Sequence, residues 1–436
     1  MGHLGRLKEE YRDLVKRLDR GTVALPEPAD PLAWSGWKEI LEILYTPEEA
    51  ALAARMPLRP VSLPKLAARL GVAEAELEPR LDAMCEKGVV MDLVHPRTGR
   101  RSYLLSPPVV GFFEYSLMRA HDAIPKKRMA EALRAYTHGD EAFAREALGR
   151  DTVVGRALVH ETAIADDPLP DVLDWERATQ VIGEARAWAV SLCYCRHKME
   201  HLGEACGAPV DVCLTLNAGA DFVVRRGFGR AVERAEALDL LETSRAQGLV
   251  QIADNVQDRP TFVCNCCGCC CEQLQAANRW GLRAVNGSGF LPRSDAARCS
   301  GCSRCARACP VAAIEMVPSR RASDRKNALA PRIDEHVCIG CGVCATACHK
   351  DALHMSRGGE RRPVPGNPVE KAVRQALERN RLAELLFDGG EGFGNRFLQQ
   401  ATRAITALPP VERLLATEQV RSRFVRAATA RFRDGG

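Results

Sequence analysis

The sequence contains no run of about 20 apolar residues, so nothing in it reads as a membrane-spanning helix. Its opening stretch, MGHLGRLKEEYRDLVKRL, is charged throughout and lacks the apolar core of a secretion signal. The cytoplasm is therefore the expected location. Strong net charge is missing too: 61 Lys and Arg face 56 Asp and Glu, a balance of +5. Residues 359–436 carry 14 basic and 9 acidic residues, and 14 − 9 accounts for the whole surplus. A chain so balanced elsewhere is not built mainly to grip nucleic acid. A dinucleotide loop is absent as well. DGGEGFGNR has the glycines but follows the helix-like LAELLF instead of a strand. No set of non-cysteine residues marks a substrate pocket.

What is present is cysteine. The 436 residues leave room for several domains, and 46% hydrophobic with 27% charged residues is a globular balance. Of 19 cysteines, all but Cys85 lie between Cys193 and Cys348. In a large chain without a secretion signal, such crowding points to metal or redox chemistry rather than to disulfides.

The expected fold class is α+β multidomain. Residues 1–30 read as a helical segment ending in LPEPADP. Residues 31–106 read as a winged helix-turn-helix head. Thr46, Pro47 and Glu49 make a capping-box signature, and Ser62 and Gly71 bracket a second helix. Leu77, Leu81, Met84 and Cys85 share one face of a third, and two strands follow around a Pro/Gly turn. Residues 107–290 are assigned to an α/β cysteine-rich domain, 291–357 to a ferredoxin-like dicluster domain, and 358–436 to a helical basic tail. The candidate recognition helix carries Glu74, Glu76, Glu78, Asp82 and Glu86 against Arg80 and Lys87, a poor face for phosphate. Arg97, Arg100 and Arg101 make the wing better suited. A protein-docking role is the favoured reading of this head, and nucleic-acid binding the lesser one. In the tail, Val420, Phe424, Ala428 and Phe432 form a stripe flanked by arginines. Packing on its own protein is the ordinary fate of such a stripe; peripheral membrane contact is the other.

The strongest motif is a pair. Cys299, Cys302, Cys305 and Cys309 follow C-x2-C-x2-C-x3-C with Pro310 after them, and Cys338, Cys341, Cys344 and Cys348 repeat the spacing. This pattern wraps a loop around a cubane, and the fourth cysteine reaches the neighbouring cluster. One [4Fe–4S] cluster then takes Cys299, Cys302, Cys305 and Cys348. The other takes Cys338, Cys341, Cys344 and Cys309. Zinc, the competing reading, favours isolated four-ligand sites. His349 stands where the first motif has its proline, and the run PSRRASDRKNALAP reads as a surface insertion.

Two further groups lie upstream. Cys193, Cys195, Cys206 and Cys213 form C-x-C-x10-C-x6-C, able to close around one metal or cluster. Arg196 beside them is placed to offset cluster charge. His197 and His201 are better read as neighbours than as ligands. In CNCCGCCC, an extended chain would face Cys264, Cys266 and Cys270 one way and Cys267, Cys269 and Cys271 the other. Ten thiols here would serve one or two more [4Fe–4S] clusters, or zinc.

Taken together, LYTPEEAALA, SLCYCRHKMEHLGEACGAPVDVCL, FVCNCCGCCC and the two ferredoxin motifs resemble a family of bacterial and archaeal 4Fe–4S ferredoxin-like proteins. That family is defined by its clusters, not by a reaction. The resemblance implies an anaerobe-type, cytoplasmic iron–sulfur protein with a helix-turn-helix-like head fused to electron-transfer domains. The expected function is single-electron transfer to or from a redox partner enzyme, with about 12–16 irons per chain at four per cubane. A redox-sensing regulator, or a reductase with its centre in the middle domain, are the other readings.

Overall fold

The computed structural model describes residues 7–95, 97–164, 173–318 and 329–388. They divide into two units. Residues up to 152, with 225–228 and those from 365 on, form one; residues 153–224 and 229–364 form the other. The stripe from Val420 to Phe432 and residues 319–328 of the run after Cys309 lie outside the described residues.

In the first unit, capping residues set the helix starts. The Thr46 side chain accepts the Glu49 N–H at 3.2 Å, and the Glu49 carboxylate accepts the Thr46 N–H at 2.8 Å. This completes the capping box of the helix Pro47–Ala53. Ser62 behaves differently. It makes no side-chain cap for the helix Leu63–Leu70 and pairs with Ser102 across a small sheet. That sheet holds β1 (Val61–Ser62), β2 (Val90–Val94) and β3 (Arg101–Leu105), antiparallel in the order β1-β3-β2. On the helix Glu74–Glu86, Leu77, Leu81, Met84 and Cys85 are fully buried. Burial pushes the Cys85 thiol up to about 12, so it packs as a small apolar group.

Two acidic residues of that helix, Glu78 and Asp82, are engaged by Arg101, while Glu74, Glu76 and Glu86 are exposed. Arg101 reaches Glu78 at 3.1 Å, Asp82, and the buried Asp92 at 3.1 Å. Arg225 and Arg226 bond the same Asp92 at 2.7 and 2.9 Å. Burial would raise the Asp92 carboxyl, but its bonds to Arg226 and Arg225 hold it below the usual range. Arg97 and Arg100 stay exposed.

Residues 107–152 belong to this unit and not to the cysteine-rich region. The helix Lys126–Gly139 packs along Pro31–Leu44 and buries Met129, Leu133 and Tyr136. The Tyr136 hydroxyl donates to the Pro26 carbonyl at 2.8 Å. An amphipathic helix must bury its stripe somewhere, and here the head supplies the surface.

The second unit is built on seven strands: β4 (Gly155–Ala157), β5 (Trp188–Ser191), β6 (Cys213–Leu216), β7 (Arg230–Val232), β8 (Val250–Asp254), β9 (Phe262–Cys266) and β10 (Val285–Asn286). Their order is β10-β4-β8-β9-β6-β5-β7. Only β10 with β4 runs parallel. The expected α/β character is thus corrected to α+β. β8 and β9, for instance, are joined by a short turn, and only antiparallel strands can be joined so.

Four more strands make two ribbons: β11 (Phe290–Ser294) pairs with β14 (Leu353–Arg357), and β12 (Ile314–Pro318) with β13 (Leu329–Ile333). These halves repeat at an offset of 39 residues, the distance from Cys299 to Cys338. The Asp295 N–H donates to the Ala352 carbonyl and the Asp334 N–H to the Ala313 carbonyl, both at 2.8 Å. Each half thus hydrogen-bonds into the other at equivalent positions.

Candidate metal centres

The dicluster loops are shaped by backbone that few side chains tolerate. Gly301 and Gly340 have φ of +70° and +67°, and Ser303 and Gly342 have +62° and +84°. At Gly340 a Cβ would lie 2.4 Å from the Phe290 carbonyl oxygen, so glycine is required. After each turn a short helix begins, Arg304–Ala308 in one half and Val343–Thr346 in the other.

The loops bring the fourth cysteine of each motif to the first three of the other. Cys299, Cys302, Cys305 and Cys348 line one hollow, together with Met316 and Leu353. Cys309 lies with Cys338, Cys341 and Cys344 in the other set, and each of those three feels its charge. The Ala313 N–H donates to Cys309 Sγ at 3.2 Å and the Ala352 N–H to Cys348 Sγ at 3.4 Å. Such N–H···S bonds stabilise a thiolate and tune a cluster bound to it. Burial pushes Cys338 up to about 11 and Cys341 to about 12. Exposed Cys302 is instead lowered, chiefly by the Arg304 N–H. Four sulfurs without oxygen donors suit iron–sulfur chemistry.

His160 was not singled out from sequence. Its N–H donates to the Cys341 carbonyl at 3.0 Å, and its ring bonds Thr346 Oγ1 and the Leu249 carbonyl, each at 3.0 Å. It locks the second loop onto the larger sheet. No local motif announces it, because its partners are 89 and 186 residues away.

The ten middle thiols divide six and four. The six run as a chain of neighbours: Cys193 meets Cys195, Cys195 meets Cys271, Cys271 meets Cys266, Cys266 meets Cys264, and Cys264 meets Cys213. Cys264 and Cys266 share a face of β9, as two-residue spacing requires. Cys193 and Cys271 sit at the N-caps of the helices Tyr194–His201 and Glu272–Trp280. Hydrogen bonds from Cys195 and Cys266 hold Cys271 well below its usual value, and the Leu274 and Gln273 N–H groups add to them. Buried Lys198 pairs with Glu272 and ties these two helix starts together.

The remaining four are Cys206, Cys267, Cys269 and Cys270. Cys206 Sγ lies 3.6 Å from Cys267 Sγ and 3.8 Å from Cys270 Sγ, and Cys269 and Cys270 are 3.6 Å apart. Two expectations are corrected here. Cys206 does not close a site with Cys193, Cys195 and Cys213, since it lies with the later octet. Nor does strand alternation continue past Cys266. β9 ends there, the chain turns at Gly268, and the Cys271 N–H returns to the Cys267 carbonyl at 3.2 Å. Cys270 and Cys271 consequently exchange sides. A Cβ at Gly268 would lie 2.5 Å from the Pro310 carbonyl oxygen, which fixes glycine at this turn.

Arg196 stands between the two groups, almost completely buried. Its guanidinium donates to the Pro209 and Asn265 carbonyls. Burial alone would lower it, but Cys193, Cys267 and Cys266 hold it above its usual value. His197 and His201 bond each other, Nε2 to Nε2, at 3.1 Å.

The dicluster and middle thiols meet in one apolar cluster. Cys266, Cys271 and Cys341 are buried in it with Val250, Leu274 and Val343, and Cys264, Cys309 and Cys338 pack against it.

Among the described residues no helix is long and apolar enough to cross a membrane. No curated protein and no solved structure matches the chain. The model of a family described as a 4Fe-4S dicluster domain matches residues 298–352. That stretch is therefore a ferredoxin-like 4Fe-4S dicluster domain, and the chain an iron–sulfur protein.

Proposed function

We propose that this protein carries single electrons between its dicluster domain and a third centre held by the six-thiol group, in exchange with a redox partner protein. Cys299, Cys302, Cys305 and Cys348 would hold one [4Fe–4S] cluster, and Cys338, Cys341, Cys344 and Cys309 the second. Cys193, Cys195, Cys213, Cys264, Cys266 and Cys271 supply the ligands of the third, with two thiols in excess of a single cubane. When bound, such clusters supply reversible one-electron chemistry.

The carrying observation is the apolar cluster shared by Cys264, Cys266 and Cys271 with Cys309, Cys338 and Cys341. Apolar side chains such as Val250, Leu274 and Val343 pack between the two sets. The Ala313 and Ala352 N–H groups hold ligand sulfurs in the dicluster domain, and Arg196 offsets negative charge at the third centre. The head, with its order of helices and a three-stranded sheet, is read as a winged-helix docking module. Its Arg101 is engaged with Glu78, Asp82 and Asp92, which favours a protein partner over phosphate. The test is iron and acid-labile sulfide on anaerobically purified full chain. About 12 of each, at four per cubane, is the expected result. About 8 would remove the third centre and with it the relay.

A further inference from the structure

We infer that Cys206, Cys267, Cys269 and Cys270 form a site for one divalent metal ion, zinc or ferrous iron, bound by four thiolates and separate from every iron–sulfur cluster. The inference does not depend on the electron-transfer reading.

Width decides it. A metal–sulfur bond of about 2.3 Å in tetrahedral geometry places neighbouring sulfurs about 3.8 Å apart. The observed separations are 3.6, 3.6 and 3.8 Å, and all four sulfurs lie within 4.8 Å of one another. Among the described residues no other group of three or more His, Cys, Asp or Glu is so tight. A cubane demands the opposite, because each thiolate binds a different corner iron and the width of the cube holds the four sulfurs apart. The dicluster sets are wider in this sense. Nor are the four thiols paired as disulfides, whose sulfurs stand about 2.05 Å apart.

The backbone is built for such a knot. Cys267, Cys269 and Cys270 come from a single turn, which Gly268 allows by lying against Pro310. Cys206 comes from residues 202–212, a stretch without helix or strand. That stretch is held at Pro209 by Arg196 and at Val210 by the Cys193 N–H, at 2.6 Å. An ion here would tie it to the start of the helix Glu272–Trp280. Four thiolates around a divalent ion leave two negative charges in excess, and the Arg196 guanidinium beside Cys267 offsets one of them. The fourth sulfur leaves no open position, the mark of a structural site.

The experiment uses full chain purified anaerobically with its iron complete, so that zinc has no vacated cluster to occupy. Metal counting and X-ray absorption are applied to wild type, Cys206→Ser and Cys269→Ser. The expected result is one zinc per chain with a shell of sulfur only and no iron neighbour. Either variant loses it while retaining all cluster iron and sulfide. A single mononuclear iron with the same shell and the same losses would assign the site to iron. Cobalt substitution of wild type should give a tetrahedral tetrathiolate spectrum, which keeps the test alive if a variant fails to fold. Loss of about four irons with matching sulfide in Cys206→Ser would overturn the inference, as would metal content unchanged in both variants, or a disulfide in place of metal.

Discussion

The dicluster loops and the Cys206–Cys270 knot are both made of four cysteines, yet they differ in how those cysteines are spread. In the loops, ligands alternate with residues of positive φ, and the fourth comes from the other half of an internal repeat. In the knot, three ligands crowd into four residues and all sulfurs fall within 4.8 Å. Spread thiols leave space for an inorganic core; crowded ones leave space for a single ion. The six-thiol group shares its apolar surroundings with the dicluster side.

Substitutions should separate the three. Cys341→Ser strikes a buried thiol of the dicluster domain. It is expected to remove about four irons and leave the knot's metal in place, by metal counting. Cys271→Ser should also cost about four irons, those of the third centre, while the ferredoxin-type signals persist in EPR. If both variants lose the same irons, the two centres are not distinct. Arg196→Gln removes a buried cation between the two middle groups. A loss of about 3 kcal/mol in chemical unfolding is expected, since buried negative charge is left uncompensated. Gly268→Ala forces a Cβ against the Pro310 carbonyl and should cost about 1–3 kcal/mol. The smallest effect belongs to Arg101→Ala in the head. It should lower stability by about 1 kcal/mol and leave every metal count unchanged.

The dicluster domain was legible because its motifs are local: spacing within 11 residues defines each loop, and the second copy repeats the first. The capping box at Thr46 and the apolar face of Glu74–Glu86 were legible for the same reason. The partition of the ten middle thiols was not. Whether Cys206 joins Cys213 or Cys267 depends on where residues 202–212 are pinned, and Arg196 and Val210 decide that through bonds to distant backbone. Alternation along CNCCGCCC held only while the chain was a strand. It failed at Cys267, where the turn against Pro310 begins. Residues 107–152 joined the head because the stripe of Lys126–Gly139 found its partner helix there, a choice invisible in the helix's own pattern.

The central claim is that electrons pass between the dicluster domain and a third centre in the middle region. The most direct measurement is an EPR-monitored redox titration of the anaerobic full chain beside Cys271→Ser. The account predicts three reducible centres in wild type, magnetically coupled when all are reduced, and two in the variant. Two centres in both, with identical line shapes, would contradict it.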